Sequence, residues 1–92
     1  MELLSYKQKG TKFVIPCKDV PGEFAQITKL FGDNDANLQS AAVYHTERGT
    51  EAVIKATGEI SVEDMMKVLK DAGFELKDVI QTTEDGEVIK FN

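Results

Sequence analysis

The chain has 92 residues, 41% of them hydrophobic and 29% charged, a composition ordinary for one globular domain with a modest core. Sixteen acidic against eleven basic residues leave a net charge of -5, which opposes non-specific binding to nucleic acid or to an anionic membrane. One cysteine cannot form an internal disulfide, one cysteine and one histidine cannot form a conventional zinc site, and no apolar run approaches a membrane span. The expectation is a small, reduced, cytoplasmic domain that needs no metal and no cofactor.

Residues 1–10 mix Leu3, Leu4 and Tyr6 with polar residues and are compatible with a short strand, a helical turn or a linker. They are set apart as a lead-in, with 11–92 as a single domain. Thr11–Cys17 alternates, with Phe13, Ile15 and Cys17 on one face, the period-two mark of a half-buried strand. Pro16 donates no ladder hydrogen bond and belongs near that strand's end or on an edge. Asp19-Val20-Pro21-Gly22-Glu23 reads as a turn opening a helix, with Pro21 in the first turn and Glu23 where the helix dipole favours negative charge. Phe24, Ile27, Leu30 and Phe31 recur at helical spacing, and the helix ends near Gly32.

A second strand runs from Leu38 to about His45 with neither face wholly polar: Leu38, Ser40, Ala42 and Tyr44 on one, Gln39, Ala41, Val43 and His45 on the other. Glu47-Arg48-Gly49-Thr50 is a hairpin turn, and Glu51–Thr57 returns with Ala52, Ile54 and Ala56 on one face. Ser61 caps a second helix, in which Val62, Met65, Met66 and Leu69 form an apolar stripe and Gly73 ends the run. Phe74–Ile80 reads as a last full strand, with Val88–Phe91 as a short returning arm. The order β-α-β-β-α-β implies an α+β, ferredoxin-like sandwich: one antiparallel sheet with both helices on one face and a further C-terminal hairpin strand. The other face is left to solvent or to another subunit.

No catalytic constellation is legible. Cys17 and His45 are linked by no spacing rule, and no residue is placed to orient His45 as a base. Asp33-Asn34-Asp35 lacks the rest of a calcium loop. Other uses of the fold fail on their own essential residues. The third strand, Glu51–Thr57, has no aromatic residue for stacking RNA bases, and the first loop has Cys17 alone where a metal carrier needs two cysteines. The only arginine, Arg48, is in a hairpin turn and not at the first loop, where a phosphate-binding enzyme would need it.

Asp19-Val20-Pro21-Gly22-Glu23-Phe24-Ala25-Gln26-Ile27, followed by Ala36-Asn37-Leu38, resembles the signature of the ACT domain family. That pattern is roughly Asp-x-Pro-Gly-x-Leu-Ala-x-Ile, a helix, then Gly-x-Asn-Ile entering the second strand. The resemblance covers Thr11 to about Ile80 and is greatest to the ACT domains that follow CBS pairs in acetoin-utilisation-type proteins. It implies a non-catalytic regulatory module that forms a homodimer and binds an amino acid or similar small metabolite at the subunit interface. By the same resemblance Asp19, Val20, Pro21, Gly22 and Glu23 form the ligand-side loop, and Asn37 and Leu38 the opposite wall across the interface. Gly22 lets backbone approach a ligand, and the amides of the helix start offer donors to a carboxylate.

Three departures from the pattern bear on that site. Cys17 stands where some amino-acid-sensing members carry a histidine, Glu23-Phe24 replaces a smaller or apolar residue plus leucine, and Asp35-Ala36 replaces the loop glycine. These changes favour the rival reading, a dimerisation or protein-interaction module whose loop holds no ligand.

Overall fold

The alternating segment at the start of the domain becomes the middle strand of the sheet. The structure, a computed structural model, describes residues 9–18 and 21–91, so the lead-in reading of residues 1–8 lies outside the described residues. β1 (Gly10–Cys17) is followed by α1 (Pro21–Asp33), β2 (Ala36–Thr46), β3 (Gly49–Gly58), α2 (Val62–Asp71), β4 (Asp78–Thr82) and β5 (Val88–Lys90). The five strands form one sheet in the order β2-β3-β1-β4-β5, with every neighbouring pair antiparallel. This is the ferredoxin-like arrangement with the expected fifth strand added beyond β4.

Pro16 sits where its missing N–H is harmless. It is opposite Glu51 of β3, but the β1–β4 ladder ends at Val14↔Asp78, so no β4 partner waits on its other side. Phe13 and Ile15 of β1, Ala52, Ile54 and Ala56 of β3, Ile27 and Phe31 of α1, and Met65 and Leu69 of α2 share one buried cluster. Both helices therefore cover the same face of the sheet. Phe13 and Phe31 meet edge to face, ring centroids 5.1 Å apart at 75°, an arrangement worth about 0.5–1.5 kcal/mol beyond the area it buries.

Two details differ from the sequence reading. The last strand begins at Asp78, not Phe74, because the end of α2 commits the intervening backbone. Gly73 takes φ +96°, its N–H donates to the Lys70 carbonyl at 3.0 Å, and the Phe74 N–H donates to the Leu69 carbonyl at 3.0 Å. This pair of bonds is a Schellman motif, and the burial of both Phe74 and Leu69 supplies the hydrophobic contact that accompanies it. Pairing resumes only at Lys77, whose N–H donates to the Val14 carbonyl at 2.8 Å.

The second difference is a β-bulge. β2 pairs Leu38 with Ala56 and Ser40 with Lys55, leaving Gln39 as the extra residue. Residues directly opposite share a face, so Leu38 lies on the helix-covered side with Ala41, Val43 and His45. It does not join Ser40, Ala42 and Tyr44, as strict alternation would require. The Gln39 side chain reaches instead to the start of β1, where its Nε2 donates to the Lys9 carbonyl at 3.2 Å.

Candidate ligand-binding site

α1 begins at Pro21, as the helix-start chemistry predicts, and Gly22 and Glu23 occupy its first turn. Glu23 Oε1 accepts from the Lys18 N–H at 3.2 Å, so its carboxylate folds back and ties the end of β1 to the start of α1. A glutamate at the third helical position reaching back over the entry is a capping-box geometry shifted outward. Gly22 is exposed, its φ lies outside the left-handed region, and a Cβ added there would meet nothing within 4 Å. Among the described residues, nothing steric demands glycine at this position. Asp19 and Val20, assigned from sequence to the same loop, lie outside the described residues.

The other two expected site residues sit far from this loop in the same chain. Asn37 faces Thr57 and Leu38 faces Ala56, and Ala56 in turn faces Thr11 near the start of β1. The loop leaves the opposite end of β1, where Cys17 faces Thr50 and Thr50 faces His45. From Leu38 to His45 the strand covers about 20 Å. One copy therefore brings Gly22 and Glu23 together, and Asn37 and Leu38 together, at opposite ends of the sheet.

The row Cys17–Thr50–His45 at the loop end went unseen in the sequence, because only the β2–β3 register reveals it. Thr50 is buried, and its Oγ1 lies 3.2 Å from His45 Nδ1. The signal that could have exposed the row was the Glu47-Arg48 turn: Thr46↔Gly49 closes the hairpin, which puts His45 opposite Thr50. Cys17 and His45 stand on β1 and β2 with β3 between them, their backbones roughly 10 Å apart. Among the described residues no group of three or more His, Cys, Asp or Glu converges to hold a metal ion, and no described helix is long and apolar enough to cross a membrane.

β2 is an edge strand, and nearly all its residues are exposed along its eleven-residue length. Leu38 is 41% exposed, Val43 38% and Tyr44 55%, so the edge carries apolar surface as well as unpaired backbone groups. A cavity of about 330 Å³ opens at the end of the sheet away from the loop, between the start of β1 and the start of α2.

The family model of the ACT domain matches residues 14–74, from the middle of β1 through both helices to the Schellman phenylalanine. No curated protein matches the chain. With that match covering more than half of the chain and the strand order agreeing, the chain belongs to the ACT domain family of regulatory, small-ligand-binding modules.

Proposed function

We propose that the chain is a non-catalytic regulatory module. It pairs with a second copy through β2 and holds an amino acid or similar small metabolite in the seam. Asp19, Val20, Pro21, Gly22 and Glu23 of one copy form one wall, and Asn37 and Leu38 of the other copy form the opposite wall. The observation that carries this reading is the layout of β2. Antiparallel pairing of two edge strands about a two-fold axis sets the Asn37 end of one against the His45 end of the other. The loop at Gly22 leaves the sheet at that same His45 end. The two half-sites that a single copy keeps apart thus meet in a pair. Within the family, this reading sets the chain beside the ACT domains that follow CBS pairs in acetoin-utilisation-type proteins, a kinship suggested by the sequence resemblance.

Thermal unfolding against the twenty amino acids, with mass determined by light scattering, tests the proposal. A ligand that binds only the folded pair raises its midpoint in proportion to RT ln(1 + [L]/Kd). Gly22→Val should abolish that shift and leave the ligand-free midpoint nearly unchanged, since the chain itself offers the new side chain open space. Tyr44→Lys, within the regular stretch of β2, should leave a folded monomer. A monomeric native chain, or a shift indifferent to Gly22, defeats the proposal.

One observation favours a second reading, a dimerisation module without a ligand: the Glu23 carboxylate already closes the loop on the Lys18 N–H. A folded dimer with a flat ligand panel is the outcome that reading requires.

A further inference from the structure

The cavity at the far end of the sheet has the build of a ligand site in its own right. Three residues of graded polarity and burial line it from this side: Lys9, exposed and just before β1, then Thr11 and Phe13 of β1, both buried. These positions alternate along one side of the chain, so two residues, about 7 Å, separate each step. Phe31 of α1 and Met65 of α2 complete an apolar floor. The room exists because Ala36 and Ala56, two small core residues, line it where larger side chains would fill it.

Two polar features point into this space. Thr11 and Thr50 are the buried polar residues of the described core, each 8% exposed. The Thr50 hydroxyl has His45 as partner. Thr11 forms no side-chain hydrogen bond among the described residues, its hydroxyl is not sealed from solvent, and the residue lines the cavity. The second feature is the start of α2, where Ser61 and Val62 line the wall. The Ser61 hydroxyl accepts from the Asp64 N–H at 3.1 Å, which leaves the N–H groups of Val62 and Glu63 as the open donors of the helix end. At the mouth Lys9 Nζ stands 3.2 Å from Glu84 Oε1, both well exposed, an ion pair of the kind that exchanges readily with a competing anion.

We propose that this cavity is a second binding site, complete within one copy, for a small aliphatic carboxylate. The carboxylate replaces Glu84 on Lys9 and takes hydrogen bonds from Thr11 and the first amides of α2. The branched hydrocarbon lies against Ile60 and Val62, the half-buried apolar residues of the wall. A volume near 330 Å³ sits at the small end of the range for ligand pockets, about 300–1,000 Å³, and suits a molecule of this size. Glu63 and Asp64, exposed on the first turn of α2, compete for the same positive helix end and weaken the binding. The site is independent of the proposed seam, since it uses neither the Gly22 loop nor the outer edge of β2.

The test is amide-resolved NMR of the labelled full chain titrated with 4-methylpentanoate, with L-leucine, and with 4-methylpentanamide as the uncharged control. Saturable shifts are expected at Thr11, Thr57, Val62 and Met65 with the acid, and weak or no shifts with the amide. Thr11→Val keeps the branched shape and should weaken binding by about three- to tenfold, the loss of one hydrogen bond. Lys9→Met should weaken it comparably, while Gly22→Val leaves it unaltered. Leucine binding that Glu84→Gln weakens selectively marks an amino acid as the source; equal behaviour of the two ligands marks a simple acid. Shifts confined to 17–23 and 37–46 would place the ligand in the seam and overturn this proposal without touching the previous one. No saturable shift, or full affinity in a folded Thr11→Val chain, overturns it outright.

Discussion

Replacing Gly58 with alanine tests the geometry at the point where β3 leaves the sheet. A Cβ there would lie 2.8 Å from the Asp35 carbonyl oxygen and 3.0 Å from the Ala36 Cα. The first falls about 0.6 Å short of the 3.4 Å at which ordinary contact begins. Both obstructing atoms are backbone, so no rotamer relieves them. Gly58 faces Ala36 as the last rung of the β2–β3 ladder, and Asp35 is held from behind by its N–H bond to the Gly32 carbonyl at 3.2 Å. The clash therefore opens the rung or shifts the α1–β2 turn, at a cost of about 1–3 kcal/mol. In a domain of this size that lowers the midpoint by roughly 4–8 °C per kcal/mol. Gly32→Ala is the matched control: it lies in α1, meets nothing within 4 Å, and should gain about 0.5–1 kcal/mol. Circular dichroism melts and urea titrations at one fixed protein concentration compare the two. A neutral Gly58→Ala, or a Gly32→Ala as damaging as Gly58→Ala, would refute the close approach of β3 to the α1–β2 turn.

Asp35→Gly should stabilise the fold by up to about 1 kcal/mol in urea titrations, because Asp35 takes φ +61° where a glycine carries no Cβ penalty. Ser61→Ala should cost about 1 kcal/mol by the same assay, since its hydroxyl is the cap of α2 and accepts the Asp64 N–H at 3.1 Å. Phe31→Ala removes a fully buried ring and its edge contact with Phe13, and a loss of about 3–5 kcal/mol should leave the chain largely unfolded by circular dichroism. The Lys29 ammonium, 2.8 Å from Asp33, is held above its ordinary pKa of 10.5 by that hydrogen bond and then by the nearby charge. A raised lysine pKa contributes its stability fully below 10.5 and loses it as pH climbs through the raised value. Melts of native and Lys29→Met chains should therefore differ by a constant small amount from pH 6 to 9 and converge only in strong alkali.

The fold was legible because each element carried its own local signal. The strand at Thr11–Cys17, the serine cap at 61 and the glycine at 73 all fall on the elements they mark, although β1, the central strand, buries Val14 along with Phe13 and Ile15 and is not half-buried as its alternation implied. What escaped were features set by partners distant in sequence. The bulge at Gln39 follows from pairing against Lys55 and Ala56, and no pattern within Leu38–His45 announces it. The delayed start of β4 follows from two amides committed to the end of α2, although Phe74–Ile80 reads as an unbroken strand. At the candidate loop, the Pro21 helix start was legible, but the use of Glu23 to close on Lys18 was not, because a first-turn acid reads equally as a dipole partner. The Asp35 position shows the opposite case. The family glycine is missing there, yet the backbone still adopts the glycine-like conformation, which aspartate tolerates better than most residues.

The bulge also bears on how an exposed edge can serve one partner without inviting others. A long flat edge strand with apolar residues is a template for indiscriminate pairing, and a bulge that twists part of it away is one natural defence. In β2 the defect falls between Leu38 and Ser40, near the N-terminal end, so Ser40–Thr46 remains the regular stretch. Pairing with a second copy would then centre on that stretch, and the Asn37 end would diverge from the ladder. In the proposed pair, divergence at that point would leave Asn37 and Leu38 across a gap from the other copy's loop, without strand hydrogen bonds to close it. A gap of that kind is what a small ligand between two copies requires. In the proposed pair, the same irregularity that breaks the alternation of β2 would separate the stretch that pairs from the stretch that meets the ligand.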